Sequence, residues 1–356
     1  MHDVLRHKRG IRRALLAWYG REKRTLPWRD AADPYVVWLS EVMLQQTRVE
    51  QGTPYIVRFV KQFPDVQALA AASEDAVLKA WEGLGYYSRA RNLHKAARVI
   101  AHDRAGAFPA TAEDWQTLPG VGRYTAGAVA SIAYGERAPV LDGNVKRVLA
   151  RLTDLSDPVD DAAVTDSLWD LAGELVRGKS PGDFNQAIME LGANVCTPRR
   201  PACEACPLTR YCAAYAAGTQ EQRPVRREKK PVPHKEIVVA VIKRNGRYLI
   251  GKRPPNGLLG GLWEFPGGKV NPGEDHPLAL MREVREELNL GVRVGGLIAC
   301  VSHAYTHFRV TLNVYACSAP EGTPQPSAHT ELRWVRKSEF SDFAFPKANH
   351  KFLHLL

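Results

Sequence analysis

Residues 118–128 read LPGVGRYTAGA, and the fold of the first half of the chain turns on what those residues form. A proline and two glycines crowd into a tight turn. A helical pattern follows at once over residues 124–134, with small residues on one side. Glycine permits backbone conformations, and a closeness of approach, that a side chain forbids. Backbone N–H groups at the start of a helix suit an anion such as phosphate. An ordinary helix connection has the same local look, so the sequence on either side must decide. Tyr124 stands just past the turn, an aromatic carrying a weakly acidic hydroxyl.

Outward from that turn, residues 1 to about 218 carry apolar residues at three and four spacing, as at Trp38, Met43 and Leu44 and at Val77, Leu78 and Trp81. Short Pro/Gly/Asp breaks separate the segments. Residues 220–235, QEQRPVRREKKPVPHK, have three prolines, many charges and no apolar period, and read as a basic linker. The texture then changes. EIVVAVIK and RYLIGKR read as strands joined by a hairpin at Arg244, Asn245 and Gly246, because Asn-Gly is a strong turn signal. A helix is predicted over 277–288, then further strands including FRVTLNVYAC. Cys300 and Cys317 fall on predicted strands and read as core residues.

The chain has 356 residues, 45% of them apolar and 24% charged, enough for two domains with real cores. Lys plus Arg outnumber Asp plus Glu by 49 to 38, a formal charge of +11 that fits a polyanionic partner such as nucleic acid. No apolar run approaches the ~20 residues of a membrane helix. The start, MHDVLRHKRG, lacks the apolar core of a signal peptide, so a cytoplasmic, nucleoid-associated protein is expected.

Four of the six cysteines cluster. Cys196, Cys203, Cys206 and Cys212 have the spacing C-x6-C-x2-C-x5-C, in loops shaped by Pro198, Pro201 and Pro207. Four thiolates so placed can ligate one metal centre. Zinc is one alternative, although zinc ribbons usually show two C-x2-C pairs and here there is one. The spacing resembles the [4Fe–4S] loop of the endonuclease III superfamily of DNA glycosylases. Arg199, Arg200 and Arg210 lie within the loop, so a cluster there would brace a basic surface for phosphate contact.

Beside that loop, residues 118–128 resemble the superfamily's helix-hairpin-helix turn, with Gly120 and Gly122 approaching a phosphate. The resemblance places an essential aspartate about twenty residues on, and Asp142 stands there in VLDGNVKRVLAR. Asp142 also reads as an N-cap, and a helix N-terminus favours the carboxylate form. Members that also cut the strand carry a Schiff-base lysine where this chain has Tyr124, whose hydroxyl cannot do that chemistry. A monofunctional glycosylase is therefore expected.

LPWRDAADPYVVWLSEVMLQQTRVEQ (residues 26–51) and WEGLGYYSRARNLH (residues 81–94) resemble the MutY-type adenine glycosylases, which remove adenine paired opposite 8-oxoguanine. Glu41 is a carboxyl flanked by Val37, Trp38, Val42 and Leu44. Burial would raise its pKa and make it a proton donor, beside an ionised Asp142. The resemblance implies that Glu41 protonates a flipped-out adenine and Asp142 stabilises the sugar cation, with Tyr124 and Asn144 in support. It implies an adenine pocket of Trp28, Arg29, Leu44, Val49 and Gln186, and Gln46 and Tyr86 as wedges in the base stack.

In the MutY family the C-terminal domain is Nudix-like, reads 8-oxoguanine and has usually lost the hydrolase residues. Here GGKVNPGEDHPLALMREVREELNL (residues 267–290) nearly restores the Nudix box, with Asn289 where the box has glycine. Asn tolerates the left-handed conformation that a helix end needs. Glu283, Glu286 and Glu287 fall at i, i+3 and i+4, a predicted acidic face suited to Mg²⁺ on a pyrophosphate. HAYTH (residues 303–307) sits where the family touches the oxidised base, here with Tyr305, Thr306 and His307. FPKAN (residues 345–349) resembles the MutT segment whose asparagine, here Asn349, reads 8-oxoguanine.

The expected architecture is multidomain. An all-α helix-hairpin-helix glycosylase over residues 1–219 carries the hairpin near 118–128 and a [4Fe–4S] loop at 196–212. The basic linker is 220–235, and an α+β Nudix-like domain spans 236–356, with Mg²⁺ as a second expected cofactor. The expected partner is double-stranded DNA with adenine opposite 8-oxoguanine or guanine, bound by a monomer. The alternatives are another mismatch glycosylase of the superfamily, a nucleotide pyrophosphatase whose helical half only anchors it to DNA, and a redox-sensitive DNA binder.

Overall fold

The computed structural model describes residues 2–29, 33–227, 231–305, 307–319 and 322–356. They form two compact units, one of residues 1–70 with 95–229 and one of residues 71–94 with 230–356. Among the described residues no helix is long and apolar enough to cross a membrane.

The first unit is helical, as the apolar spacing predicts. The stretch 118–128 holds the end of the turn that follows the short helix Ala112–Trp115 and the start of the helix Arg123–Tyr134. Gly120 takes the left-handed conformation at φ 74°, and extended Gly122 caps the second helix. That helix closes on Gly135 at φ 70°, whose N–H bonds back to Ser131 while Glu136 N–H reaches the Ala130 carbonyl. Residues Thr125 to Ser131 are all buried, which explains their small side chains. At Gly127 the fit is tightest: a Cβ there would overlap the Pro139 carbonyl oxygen. Asn185 holds the same region, its amide donating to Ser131 Oγ and to the Ala138 carbonyl, both at 2.8 Å. The core of this part is built on Leu15, Val145, Leu149, Leu168, Leu175, Ala187 and Leu191.

Two features depart from the expected domain boundaries. The start of the predicted linker is packed: Arg223 pairs with Asp154 at 2.9 Å, and Val159 N–H donates to the Val225 carbonyl. Residues 71–94, expected in the helical domain, fold with the second unit. Lys252 pairs there with Asp75 at 2.7 Å, and Arg91 donates to the Gly260 carbonyl.

The second unit is built on a mixed sheet of β1 (His234–Arg244), β2 (Arg247–Lys252), β3 (Trp263–Glu264), β4 (Gly267–Lys269), β5 (Arg293–Ala304), β6 (Arg309–Ser318) and β7 (Glu331–Val335). The strand order is β3-β2-β1-β6-β5, with β4 also on β1 and β7 also on β2. β1 and β6 run parallel and the other pairs antiparallel. The predicted hairpin joins β1 to β2, with Asn245 and Gly246 both at positive φ. β1 is buried on both faces: Val239 and Val241 enter one core, and Val238, Ala240 and Ile242 the other. The helix His276–Leu288 covers the second face with Ala279, Leu280, Val284 and Leu288. It ends on Asn289 at φ 49°, the conformation its substitution for glycine requires. Cys317 is buried as expected. Cys300 is exposed, because its side of β5 faces away from both cores.

Gly127→Ala is expected to destabilise the chain by about 1–3 kcal/mol, since the new methyl meets backbone that cannot turn aside. Denaturant unfolding of the variant and the parent protein measures it.

Candidate active site

Several segments of the first unit converge on one cavity of about 150 Å³. The helix Pro34–Leu44 starts on Asp33, whose carboxylate accepts from Tyr35 N–H at 2.9 Å. Its residues Val37, Ser40, Glu41 and Leu44, at i, i+3, i+4 and i+7, line the cavity. The helix Gly143–Leu152 starts on Asp142, which accepts from Val145 N–H at 2.7 Å. The helix Pro181–Asn194 adds Gln186, Met189, Glu190 and Ala193, and the segment before the first of these helices adds Leu26, Trp28 and Arg29. Thus Glu41, Tyr124, Asp142 and Asn144 share the cavity with Trp28, Arg29, Leu44, Val49 and Gln186.

The polar groups are tied together. Tyr124 OH donates to Glu41 Oε2 at 2.6 Å and lies 3.2 Å from Met189 Sδ. Asn144 Nδ2 donates to Asp142 Oδ2 at 3.0 Å. Burial pushes Glu41 up to about 7, opposed by the Tyr124 hydrogen bond and helped by the charge of Asp142. Burial also raises Asp142, which the sequence reading expected to be ionised at a helix N-terminus, but the N–H groups of Val145 and Asn144, the Asn144 amide and Arg147 all act the other way. Asp142 therefore has several donors to hold its negative charge, and Glu41 has one hydroxyl. The Tyr124 hydroxyl is itself raised well above its ordinary value, by burial and by Glu41. It stays a neutral donor.

The sequence reading missed several residues here. Glu190 is buried and joins Arg24 Nε at 2.6 Å and Arg29 Nη2 at 2.7 Å. Burial works to raise its pKa, but the two arginines outweigh burial and hold it below the usual value. Its position one helical turn after Gln186 is the sequence signal that could have found it. Buried Arg147 bridges Asn144 Oδ1 at 2.8 Å, the Gly192 carbonyl at 2.6 Å and the Cys196 carbonyl at 2.7 Å. Gly192 allows that closeness, since a Cβ on it would stand 2.7 Å from Asn144 Cβ.

Cys196, Cys203, Cys206 and Cys212 ring a small cavity of about 30 Å³ in the same unit. Arg151 Nη1 donates to Cys196 Sγ at 3.2 Å. Burial and the neighbouring thiols push Cys206 up to about 11. Four thiolates crowded there would repel one another, so the set is chemically complete only around a cationic centre. No three His, Cys, Asp or Glu among the described residues are arranged to hold a single metal ion.

The remaining expected residues lie elsewhere. Gln46 is exposed with φ 57°. Gly120 and Gly122 are exposed at the hairpin. In the second unit Tyr86 has φ 48°. Tyr305 and Asn349 line a separate pocket of about 480 Å³ with Glu264, Glu283 and Glu287. His307 is exposed and outside that lining, and Thr306 lies outside the described residues. The expected acidic face is split. Glu286 is 60% exposed and does not line the pocket, because i and i+4 share the inward stripe while i+3 turns away. Glu264 of β3, which periodicity could not place, lines it instead. Burial pushes Glu287 up to about 7, against a hydrogen bond from Gly267 N–H.

Comparison with known proteins follows the same division. Residues 39–173 match the HhH-GPD superfamily of base excision DNA repair proteins, residues 196–212 the iron-sulfur binding domain of endonuclease III, and residues 237–355 the NUDIX domain. The adenine DNA glycosylase of Mus musculus is 38% identical over 96% of this chain and 76% of its own. That of Homo sapiens is 37% identical over 96% and 73%. A solved thermostable thymine-DNA glycosylase is 30% identical, covers 60% of this chain and 98% of its own, and has a TM-score of 0.55.

The four thiols thus belong to an iron–sulfur loop. Cys203→Ser is expected to strip most of the iron from the purified protein, read as iron content and visible absorbance, because one of the four ligands is lost.

Proposed function

The chain belongs to the adenine DNA glycosylases, DNA-binding enzymes of base excision repair that hydrolyse an N-glycosidic bond, and from that premise we propose that it removes adenine standing opposite 8-oxoguanine, with Glu41 as acid and Asp142 as its ionised counterpart. The observation that carries the chemistry is the single cavity in which Glu41 is pushed up to about 7 while Asp142 keeps its donors. Two carboxyls with divergent environments divide the acid and anion roles.

The adenine leaves the stack and enters the cavity between Trp28, Leu44 and Val49. Glu41 gives its proton to N7. The C1′–N9 bond breaks, its electron pair goes to the base, and neutral adenine departs. Asp142, held by Val145 N–H and Asn144, faces the cationic sugar. Water adds its oxygen to C1′ and returns a proton to Glu41, leaving an abasic site. Tyr124 orients the acid and supplies no amine, which supports hydrolysis without strand cleavage. Gln46 and Tyr86 fill the stack the base has left, and Gly120 and Gly122 meet a phosphate. The iron–sulfur loop is read as the site of a [4Fe–4S] cluster that Cys196, Cys203, Cys206 and Cys212 would hold, a reading supported by the four thiols around one cavity and the match of residues 196–212 to an iron-sulfur binding domain. The bound cluster would brace the basic loop for phosphate contact.

The base opposite the adenine is assigned to the pocket of the second unit. Tyr305 and Phe308 stack there at 4.8 Å, and Asn349, 7% exposed, lines the same wall. Thr306 and His307 are proposed to complete that reading.

Glu41→Gln is expected to slow adenine release by at least ~10²–10⁴-fold with duplex binding kept. Because the active Glu41 is the protonated one, single-turnover release should fall as pH rises through about 7, and it should fall again in acid where Asp142, itself raised by burial, takes up a proton. Tyr124→Phe removes a hydrogen bond that lowers Glu41, so it should move the upper limb to higher pH. A rate indifferent to both changes refutes the acid assignment.

A second reading, Mg²⁺-dependent hydrolysis of 8-oxo-dGTP, is favoured by one arrangement: Glu264, Glu283 and Glu287 share a pocket with Asn349. Mg²⁺ needs only one or two direct carboxylates when phosphates and water complete its shell, and it would polarise the bridging phosphate. Glu283 is oriented by Arg282 at 2.9 Å, which also grips Glu274. Full-length Glu41→Gln protein should cleave 8-oxo-dGTP in preference to dGTP with Mg²⁺. The same protein carrying Glu283→Gln and Glu287→Gln should not, and equal turnover by the two rejects the activity.

A further inference from the structure

The loop of residues 81–86 is locked at its root. Trp81 is fully buried, and its indole N–H donates to the Gly85 carbonyl at 3.1 Å. Gly83 N–H donates to the Tyr87 hydroxyl at 3.1 Å. Arg89 donates to the Gly85 carbonyl at 3.1 Å and lies over the rings of Trp81 and Tyr86, 5.2 Å and 5.6 Å from their centroids. Gly83, Gly85 and Tyr86 all have positive φ, so the backbone is held in conformations that extended chain would not keep unaided. Tyr86 is therefore presented by a shaped loop.

Glu82 is the one carboxylate of that loop, and its bonds leave the loop. Its Oε1 accepts from Phe345 N–H at 2.8 Å and from His350 Nε2 at 2.9 Å. Its Oε2 accepts from Lys79 Nζ at 2.6 Å, and the same ammonium reaches the Phe343 carbonyl at 3.0 Å. Its side chain is 16% exposed. The segment it grips, residues 343–350, carries Asn349, whose N–H bonds to the Pro346 carbonyl within the segment. A glutamate serving only as a surface charge would not need a backbone N–H 263 residues away, a side-chain donor 268 residues away and a second side-chain donor from its own turn. The arrangement joins the presenter of Tyr86 to the wall of the pocket that Tyr305 and Asn349 line.

We infer that Glu82 is a positioning residue that couples the Tyr86 loop to the segment bearing Asn349, so that the base held at Asn349 decides whether Tyr86 is presented for entry into the duplex. This rests on the reader role proposed above for the second unit. A base that fits the pocket fixes residues 343–350, and through Glu82 fixes the loop. A base that does not fit leaves the segment free to shift, and the carboxylate carries the shift to Gly83 and Gly85. Selectivity for the opposite base then appears in the rate of adenine release, although the two functions lie on different parts of the chain.

The test measures single-turnover adenine release, with duplex saturated by full-length protein, for adenine opposite 8-oxoguanine and opposite guanine. Fluorescence of 2-aminopurine beside the adenine reports unstacking. Glu82→Gln keeps the shape but turns an amide toward Lys79 and weakens the other two bonds. It should lower the preference for 8-oxoguanine about tenfold, the scale of charged hydrogen bonds. His350→Ala removes one exposed partner and should lower it about threefold, with an unchanged melting temperature. In an Asn349→Ala background neither change should lower it further. If Asn349→Ala lowers the preference and the folded Glu82→Gln and His350→Ala proteins keep it, the coupling is wrong and the reader role stands. Full additivity with Asn349→Ala overturns the coupling as well. If Asn349→Ala itself leaves the preference intact, the reader role fails and the coupling fails with it. Should Glu82→Gln not fold, His350→Ala decides by the same criteria.

Discussion

Contact between the helix Arg123–Tyr134 and the segment just before Asp142 is the constraint on which the cavity shared by Glu41 and Asp142 depends. The helix has small residues along its buried side, and at Gly127 it meets the Pro139 carbonyl with no room for a methyl. That approach fixes where the next helix can begin. It begins on Asp142, and the same geometry delivers Tyr124 to Glu41 from the other end. The gain of close packing is spent on bringing three polar groups into a space where each alone would be costly.

Burial alone would push both carboxyls toward the neutral form, and what separates them is hydrogen bonding. Asp142 has backbone N–H groups at a helix start, an amide and nearby Arg147, whereas Glu41 has one phenol and the charge of Arg29. Glu190 shows the same rule at its limit: as buried as any, it stays ionised because two arginines hold it. Charge in this cavity is allocated by donors rather than by depth. The helix Gly143–Leu152 extends the allocation outward, since Arg147 and Arg151, one turn apart, bind the backbone and sulfur of the cysteine loop. Asp142 and the contacts to the iron–sulfur loop thus rest on one helix.

Much of this was legible before any coordinates. The helix-hairpin-helix turn, the cysteine spacing, the Asn245-Gly246 hairpin and the helix ending at Asn289 are all short-range patterns. Each is set by the conformations that neighbouring residues allow, so the order of residues suffices. Glu41 stood out by being acidic in an apolar run, and the structure places it with all five residues expected around it. The Glu283, Glu286 and Glu287 face was only half legible. Spacing put three carboxyls near one another, and the position of the sheet turned two inward and one out.

The amino-acid sequence by itself determined the elements, their punctuation and the residue types that could carry chemistry. Tertiary structure alone decided which partners those residues meet. Glu190 finds arginines more than 160 residues earlier, Arg147 finds a carbonyl 49 residues on, and Glu82 finds the segment 263 residues away that carries Asn349. It also decided that residues 71–94 fold with the second unit and that Cys300 faces outward. The physical reason is the range of the interactions. Backbone preference acts over a few residues and leaves a readable period, whereas burial and hydrogen bonding act on whatever the packed chain brings near.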